Sequence, residues 1–314
     1  MYLNYRNLYF IVSNDIQNLV RIPNEFNILG KFTFHHEEII NDSINNKKVY
    51  EIRLSSKKDK IYIDNYILYL PLLSTSIIEN RKKILEIGLF AVTEKENINQ
   101  NIISLHGSSI YNGDTLYVFL GPKESGKSTM IYLLNKIEGF KFVSNDYLEI
   151  KLENDFFVIN NTDGDKEFSF RSKSMYQIDL KKYQELFGTD KLLNNMIKIK
   201  IPLYEIPKFK RIYFIYPSIG KSNCFEYRKL NKDLLKQKLY KDSIVYLRNS
   251  EISCIDRNND LLPIYIDDKS MFNLNDHKKI IEVIDTIISK SIGYELLGNS
   301  NELVEFILKN LEYK

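Results

Sequence analysis

Tryptophan is absent from the 314 residues, and cysteine nearly so: Cys224 and Cys254 stand thirty residues apart, with no CxxC pair and no histidine cluster. That spacing suggests neither a disulfide framework nor a zinc site, and two free thiols fit a reducing compartment. No apolar run approaches the roughly 20 residues that cross a bilayer. The N-terminus lacks the cationic, apolar, small-residue order of a secretory signal, so the expected location is the cytoplasm. An excess of one charge is also missing. The 44 basic and 41 acidic residues leave a net +3, too little to argue for a nucleic-acid or membrane partner.

What is present is an ordinary globular composition, 44% hydrophobic and 27% charged, which gives no reason to invoke global disorder. The length suits two domains, or one large α/β domain with additions. Tyrosine (22) and phenylalanine (18) are abundant beside no tryptophan, a bias that reads as genomic rather than functional.

The chain is organised around Gly121-Pro122-Lys123-Glu124-Ser125-Gly126-Lys127-Ser128-Thr129, which fits GxxxxGK[ST] at every fixed position. In that pattern glycines let backbone N–H groups face a phosphate, and the helix that follows adds its positive end. Lys127 reaches the terminal phosphates and Ser128 places its hydroxyl on their magnesium ion, with Gly121, Glu124, Ser125, Gly126 and Thr129 completing the nucleotide contacts. The alternative is a Gly/Ser turn without a ligand, and context separates the two. Thr115–Leu120 reads as a strand that follows the hairpin signal Asn112-Gly113. Met130, Ile131, Leu133, Leu134 and Ile137 fall at helical spacing and stop at Gly139.

Residues 1–95 read as a small antiparallel region, with strand-like runs at Leu8–Val12, Lys31–Phe34, Val49–Leu54, Lys60–Ile63 and Tyr66–Leu70, then a helix carrying Ile77, Ile78, Leu85, Leu89 and Phe90. Glu94–Gln100 reads as a polar linker, and residues 96–314 as the nucleotide-binding core. His106 stands just upstream of the loop, close enough in sequence to lie beside bound phosphates, where a structural hydrogen bond and a catalytic role are equally open. The strand Phe140–Val143 ends in Ser144-Asn145-Asp146. A carboxylate there holds magnesium or orients the attacking group, unless it merely occupies the turn before the strand Tyr147–Leu152.

Further on, Arg171 is a candidate phosphate contact, although an exposed strand arginine is the plainer reading. Lys173–Lys200 reads as mostly helical. Lys198, Lys200, Lys208, Lys210 and Arg211 form a basic stretch of the kind that is usually a solvated face. Arg211–Tyr216 reads as a strand ended by Pro217, Leu230–Leu247 as a helix, Ile264–Ile266 as a late strand, and His277–Lys290 as a core-facing helix. His35, His36 and His277 have no ligand-spaced partner.

Taken together, Leu105-His106-Gly107, Gly121–Thr129 and Ser144-Asn145-Asp146 resemble the kinase core of the HPr serine kinase/phosphorylase family over roughly residues 102–150. The resemblance implies an α/β fold with a mixed, strongly twisted sheet like that of phosphoenolpyruvate carboxykinase, with ATP and Mg2+ as cofactors. It implies phosphate and metal contacts at Lys127 and Ser128, and roles for His106 and Asp146 in handling the acceptor hydroxyl. Two departures stand out. The family's paired aspartates appear here as Asn145-Asp146, and an amide can ligate a metal but cannot take a proton. The glutamate- and Arg-Gly-rich signature of true HPr kinases is missing after residue 165, which argues against HPr as substrate.

What remains resembles shorter relatives, some of which phosphorylate serine in ribosomally made peptides during peptide biosynthesis. Three functions follow as expectations: a Ser/Thr kinase for a peptide or small protein, a kinase for a small hydroxylated metabolite such as serine, and a nucleotide-binding module without catalysis. The strand-rich N-terminal region and the basic stretch at 198–211 are the expected peptide-docking places. A homo-oligomer is compatible with the resemblance.

Overall fold

The computed structural model describes residues 2–5, 8–20, 22, 25–28, 32–37, 48–57, 59–75, 77–162, 167–171, 192–193, 196–200, 205–220, 224–248, 252–255, 261–267 and 272–311. The chain is mixed α/β with mixed sheets, and it divides into two compact units: Met1–Asn101 with Ile244–Ile280, and Ile102–Ser243 with Ile281–Lys314.

The first unit is built on a nine-stranded sheet in the order Ile252–Ile255, Leu261–Ile266, Lys60–Asp64, Ile67–Leu70, Lys48–Leu54, Leu8–Val12, Tyr2–Tyr5, Phe32–Glu37, Glu25–Ile28. It is not the purely antiparallel region that the local runs suggest. Leu8–Val12 pairs in parallel with Lys48–Leu54, which pairs in parallel with Ile67–Leu70. The division near residue 95 expected from sequence also leaves out the return of Ile244–Ile280 to this unit. The return rests on the parallel pairing of Tyr265 with Lys60 and Ile266 with Ile61, which joins segments some two hundred positions apart and leaves no local trace.

The helix Ile78–Asn99 runs through the stretch read as a linker. Leu85, Leu89 and Val92 are fully buried. Gly88 sits so close to the sheet that a Cβ there would lie 2.6 Å from Leu70 Cδ2. The polar end is not solvated either: Glu96 is 3% exposed, accepts from Tyr50 Oη at 2.7 Å and is paired with Lys48 Nζ. Burial, and then the Glu96 carboxylate, push the Tyr50 phenol well above its usual range. Partners supplied by a strand more than forty residues upstream turn a polar sequence into a buried helix end.

The second unit carries a six-stranded mixed sheet in the order Phe140–Ser144, Ser108–Asn112, Thr115–Phe119, Arg211–Ile219, Ser291–Gly298, Glu226–Leu230. The three central strands from Thr115–Phe119 to Ser291–Gly298 are parallel, and the others are antiparallel to their neighbours. Asn112 pairs with Thr115, so the hairpin turns on Gly113-Asp114, with Gly113 left-handed (φ 57°) at the first central position as a II′ turn requires. All five residues of Thr115–Phe119 are buried, as expected of a strand covered on both faces.

One covering layer is made by the helices Lys127–Leu134 and Ser300–Asn310. Their Met130, Ile131, Leu134, Leu303 and Ile307 pack with Tyr117, Phe119, Ile215 and Leu296 in one core. Asn299 caps the last helix, accepting from the Asn301 and Glu302 backbones, while Glu302 returns a bond to the Asn299 N–H.

The strand Arg211–Ile219 continues through Pro217, where the sequence suggests an end. Ile215 O accepts from Leu120 N, the last rung on that side. Pro217, two residues on, turns its nitrogen toward a flank that Thr115–Phe119 has already left, so no ladder donor is lost. Within the stretch read as helix, Leu192–Leu193 and Met196–Lys200 are strands, the second pairing with the first on one side and with Glu167–Arg171 on the other; residues 172–191 lie outside the described ones. None of the described helices is long and apolar enough to cross a membrane.

Candidate functional site

The central strand Thr115–Phe119 delivers the chain into the Gly121–Gly126 loop, and the helix Lys127–Leu134 begins directly after it. Gly121, Glu124 and Gly126 all have positive φ (124°, 69° and 104°). Successive turns of that kind point backbone N–H groups inward to make an anion-binding concavity. The loop is tied to the next strand, since Ile219 N donates to Ser125 O at 3.1 Å. Gly126 also lies against that strand: a Cβ there would meet Ile219 Cδ1 at 2.4 Å, so position 126 needs glycine for space as well as for φ.

Lys127 is 7% exposed and donates from Nζ to Gly121 O (2.7 Å) and Pro122 O (2.9 Å), so its ammonium is folded back across the mouth of the loop. Burial holds its pKa below the ordinary lysine value, against the opposing fields of Asp146 and Asp242. The next residue reaches the other way. Ser128 Oγ donates to Asn145 Oδ1 at 3.0 Å, joining the first turn of the loop helix to the end of Phe140–Ser144.

That strand end is held by the hairpin. Its register with Ser108–Asn112 slips between Phe142 and Ser144, a bulge that re-aims the chain. Ser109 Oγ meets Ser144 Oγ at 2.6 Å, and Ser108 Oγ donates to Asn145 O. Asn145 is thereby buried while Asp146 is exposed.

His106 Nδ1 lies 3.0 Å from the backbone carbonyl of Asp146. A carbonyl can only accept, so Nδ1 carries the proton, and in the neutral form of the ring the lone pair is on Nε2. His106 therefore contacts the backbone of Asp146. Gly107 allows this approach, because a Cβ there would stand 2.8 Å from Phe119 O.

Behind these residues is a polar cluster that the sequence does not announce. Tyr147 and Glu149 are fully buried; Tyr147 Oη donates to Glu149 Oε1 at 2.7 Å, Asn160 Nδ2 to Glu149 Oε2 at 2.8 Å, and Ser104 Oγ is 3.1 Å from Tyr147 Oη. The cluster joins Ile103–Leu105 to Leu148–Glu153, the two strands from which His106 and Asp146 project. The only sequence hint is that Tyr147 and Glu149 share one face of a strand at period two.

On the other flank of the loop a cavity of about 540 Å³ is walled by Gly121, Pro122, Ser125 and residues of Arg211–Ile219, Glu226–Leu230 and Ser291–Gly298. Glu295 Oε1 pairs with Lys238 Nζ at 2.7 Å, and Glu295 Oε2 with Arg228 Nη2 at 2.5 Å. Burial works against the Glu295 carboxylate, but these two cations hold it below its usual range. Tyr216 Oη donates to Asp242 at 3.0 Å. Burial raises Asp242, opposed by Tyr216, Lys238, Lys241 and Lys127. No local motif marks Tyr216, Arg228, Lys238 or Asp242.

The structure thus brings Lys127, Ser128, Asn145, Asp146 and His106 together at one end of the sheet. Glu124 is exposed on the loop and Thr129 half-buried in the first helical turn. Arg171 ends the strand Glu167–Arg171 in a separate three-stranded sheet, and its side chain lies outside the described ones. Lys208 and Lys210 are exposed, Lys210 beside Asp114 at 3.5 Å; the side chains of Lys198 and Lys200 lie outside the described ones. Among the described residues no group of three or more His, Cys, Asp or Glu side chains is placed to hold a metal. Magnesium in phosphate sites needs only one or two protein oxygens beside phosphates and water. The Ser128 hydroxyl and Asn145 amide oxygen, adjacent to Asp146, fit that requirement.

No known family profile matches the chain, and no curated protein matches it. Among solved structures it is similar to the Hpr(Ser) kinase/phosphatase from Coxiella burnetii, at 14% identity over 58% of this chain and 94% of that one, with a TM-score of 0.19.

Proposed function

We propose that this protein is an ATP- and Mg2+-dependent kinase that transfers the γ-phosphate to a serine or threonine hydroxyl of a peptide or small protein, as a tailoring enzyme of ribosomally made peptides. The observation that carries the reading is the 3.0 Å contact between Ser128 Oγ and Asn145 Oδ1. It sets two metal-competent oxygens at the mouth of a glycine-turned loop, within reach of a buried lysine and an exposed carboxylate. Phosphoryl transfer needs little covalent help from a protein beyond positioning and charge neutralisation.

In this reading the loop N–H groups and Lys127 hold the phosphates, with Lys127 exchanging its bonds to Gly121 O and Pro122 O for phosphate oxygens. Ser128, Asn145 and Asp146 hold Mg2+, which neutralises developing charge when bound. The acceptor oxygen forms the new O–P bond as the bond to the β-phosphate bridge breaks, ADP leaves, and the hydroxyl proton goes to Asp146 or to His106 Nε2. The peptide reading rests on the size of the strand-rich first unit and the exposed Lys208 and Lys210, which suit an extended acidic segment.

One observation favours a second reading. Asn145, at the buried position beside Ser128, is an amide, and a site short of one carboxylate also suits a nucleotide-binding module without transfer. The two separate in one experiment: peptides encoded beside this gene are incubated with the protein, ATP and Mg2+ and examined by mass spectrometry. A gain of one phosphate on serine or threonine is the expected result. Tight nucleotide binding with no transfer to peptides or to free serine would establish the module, and equal phosphorylation of free serine would replace the peptide by a metabolite.

A further inference from the structure

We propose that the protein forms a two-fold dimer through the outer edge of its six-stranded sheet, where the strand Glu226–Leu230 pairs antiparallel with its own copy about Tyr227. The proposal does not depend on the nucleotide reading, because the edge concerned is the one away from Asn145 and Asp146.

Among the described residues this strand has a hydrogen-bonded neighbour on one side only, Ser291–Gly298, and it ends the sheet on the flank opposite to Phe140–Ser144. Glu226, Tyr227, Arg228 and Lys229 are all exposed, so side chains on both of its faces meet solvent. An edge left alone is usually blunted by proline, a bulge or a covering segment. Residues 226–230 contain no proline, and their register with Ser291–Gly298 runs without a shift. Apolar surface collects at the same edge. Tyr227 is 61% exposed, its ring backed on one face of the sheet by Phe306 at 4.7 Å and Phe225 at 6.1 Å between centroids. Leu297, opposite Glu226 and so on the other face, is 36% exposed.

Charge selects both the occupant and the register. A two-fold axis perpendicular to the sheet sets the residue on the axis against itself and the residues beside it against one another, each keeping its face. With Tyr227 on the axis, Glu226 lies opposite the partner subunit's Arg228, and Arg228 lies opposite the partner subunit's Glu226. Two ion pairs then flank a tyrosine pair on the other face, combinations that favour cross-strand pairing. Moving the axis to Glu226 or to Arg228 sets like charges directly against each other, which is unfavourable. Arg228 can serve two carboxylates. Its Nε and Nη2 hold Glu295 of its own chain at 2.8 and 2.5 Å, and a guanidinium carries five N–H donors, which leaves those of Nη1 for the glutamate across the edge. The order acid, aromatic, base is complementary to itself read backwards, and that is the mark of a second copy of this chain as the partner.

Sedimentation equilibrium of the full-length protein tests the proposal. At micromolar concentration it is expected to give twice the chain mass of 37.1 kDa, and Glu226→Lys is expected to raise the dissociation constant at least tenfold. Cysteine cross-linking tests the register, in a background carrying Cys224→Ser and Cys254→Ser. Tyr227→Cys is expected to give a disulfide-linked dimer on mild oxidation, since directly opposed residues have Cβ atoms about 4.5–5.5 Å apart. Lys229→Cys is expected to stay unlinked, because this register sets it roughly 13 Å from its copy. A thermal melt of each variant checks folding. A monomer at every concentration, an association that Glu226→Lys leaves unchanged, or failure of a folded Tyr227→Cys to link overturns the proposal, as does linkage through Lys229→Cys instead. None of these results bears on the phosphate-loop reading, which nucleotide binding and transfer decide separately.

Discussion

Ser128 Oγ donates a hydrogen bond to Asn145 Oδ1 across 3.0 Å, although seventeen residues, a helix and a strand separate the two in sequence. The bond joins the residue after the loop lysine to a strand end that is fixed from behind by Ser108 and Ser109. If these two oxygens share a magnesium ion, Ser128→Ala raises the Mg2+ concentration for half-maximal transfer at least tenfold, about 1.4 kcal/mol of metal binding. Asn145→Asp lowers it. The check is a Mg2+ titration at saturating ATP. Activity that appears only in Asn145→Asp would mark the natural chain as a binding module.

Lys127→Ala is expected to remain folded and to lose two to three powers of ten in transfer, roughly 3–4 kcal/mol of transition-state stabilisation. Lys127→Met adds a stability test. Burial lowers the folded-state pKa of Lys127 below the ordinary 10.5, so between those two values the unfolded chain binds more protons than the folded one. Wild-type stability contributed by this group therefore rises with pH through that window. Lys127→Met lacks the term, so its stability relative to wild type is highest below the folded pKa and declines toward pH 10.5. Denaturant melts across that range measure it, and near-normal turnover in either variant sinks the phosphate-loop reading.

Asp146→Asn is expected to nearly abolish transfer while nucleotide binding survives, because only the carboxylate can both hold magnesium and take a proton. Its exposure means that stability changes little. Loss of nucleotide binding in step with turnover would assign Asp146 to binding alone.

For His106 the geometry separates two roles that the sequence leaves open. In His106→Asn the amide nitrogen takes the place of Nδ1 and keeps the donation to Asp146 O, but nothing replaces Nε2. Turnover that falls at least a hundredfold with unchanged nucleotide affinity identifies Nε2 as the proton acceptor. Turnover retained within a few fold identifies His106 as the residue that orients Asp146. A pH–rate profile completes the test, since removing a general base removes the limb of the profile that reports it.

Tyr147→Phe probes the cluster behind the site. It leaves the buried Glu149 Oε1 without its 2.7 Å donor, a loss worth about 1–3 kcal/mol for a buried acceptor. Urea unfolding is expected to show that decrease, with a loss of turnover larger than the loss of nucleotide affinity if the cluster positions His106 and Asp146. An unchanged midpoint would mean that water or another group satisfies Glu149.

Much of this protein is written locally. Alternation and β-branched residues mark the strand Thr115–Phe119, Asn112-Gly113 marks the hairpin, and the spacing of Met130, Ile131 and Leu134 marks the loop helix, because each pattern depends on neighbours within one or two turns. The loop itself is equally legible. Positive φ at Gly121 and Gly126 and a cation directly after the loop are demands on residue type that the sequence states outright. Only the tertiary structure decided the rest. Glu96 could be buried only because Lys48 and Tyr50 arrive from a distant strand, so a stretch that reads as a linker ends a helix. Pro217 could stand inside a strand because its nitrogen faces the flank where the neighbouring strand has ended. The cavity residues Tyr216, Tyr227, Arg228, Lys238 and Glu295 lie up to eighty positions apart and converge because Ser291–Gly298 pairs with Arg211–Ile219 in parallel and with Glu226–Leu230 antiparallel. That pairing has no local signal, because its energy comes from contacts that exist only once the chain has closed long loops to form the sheet.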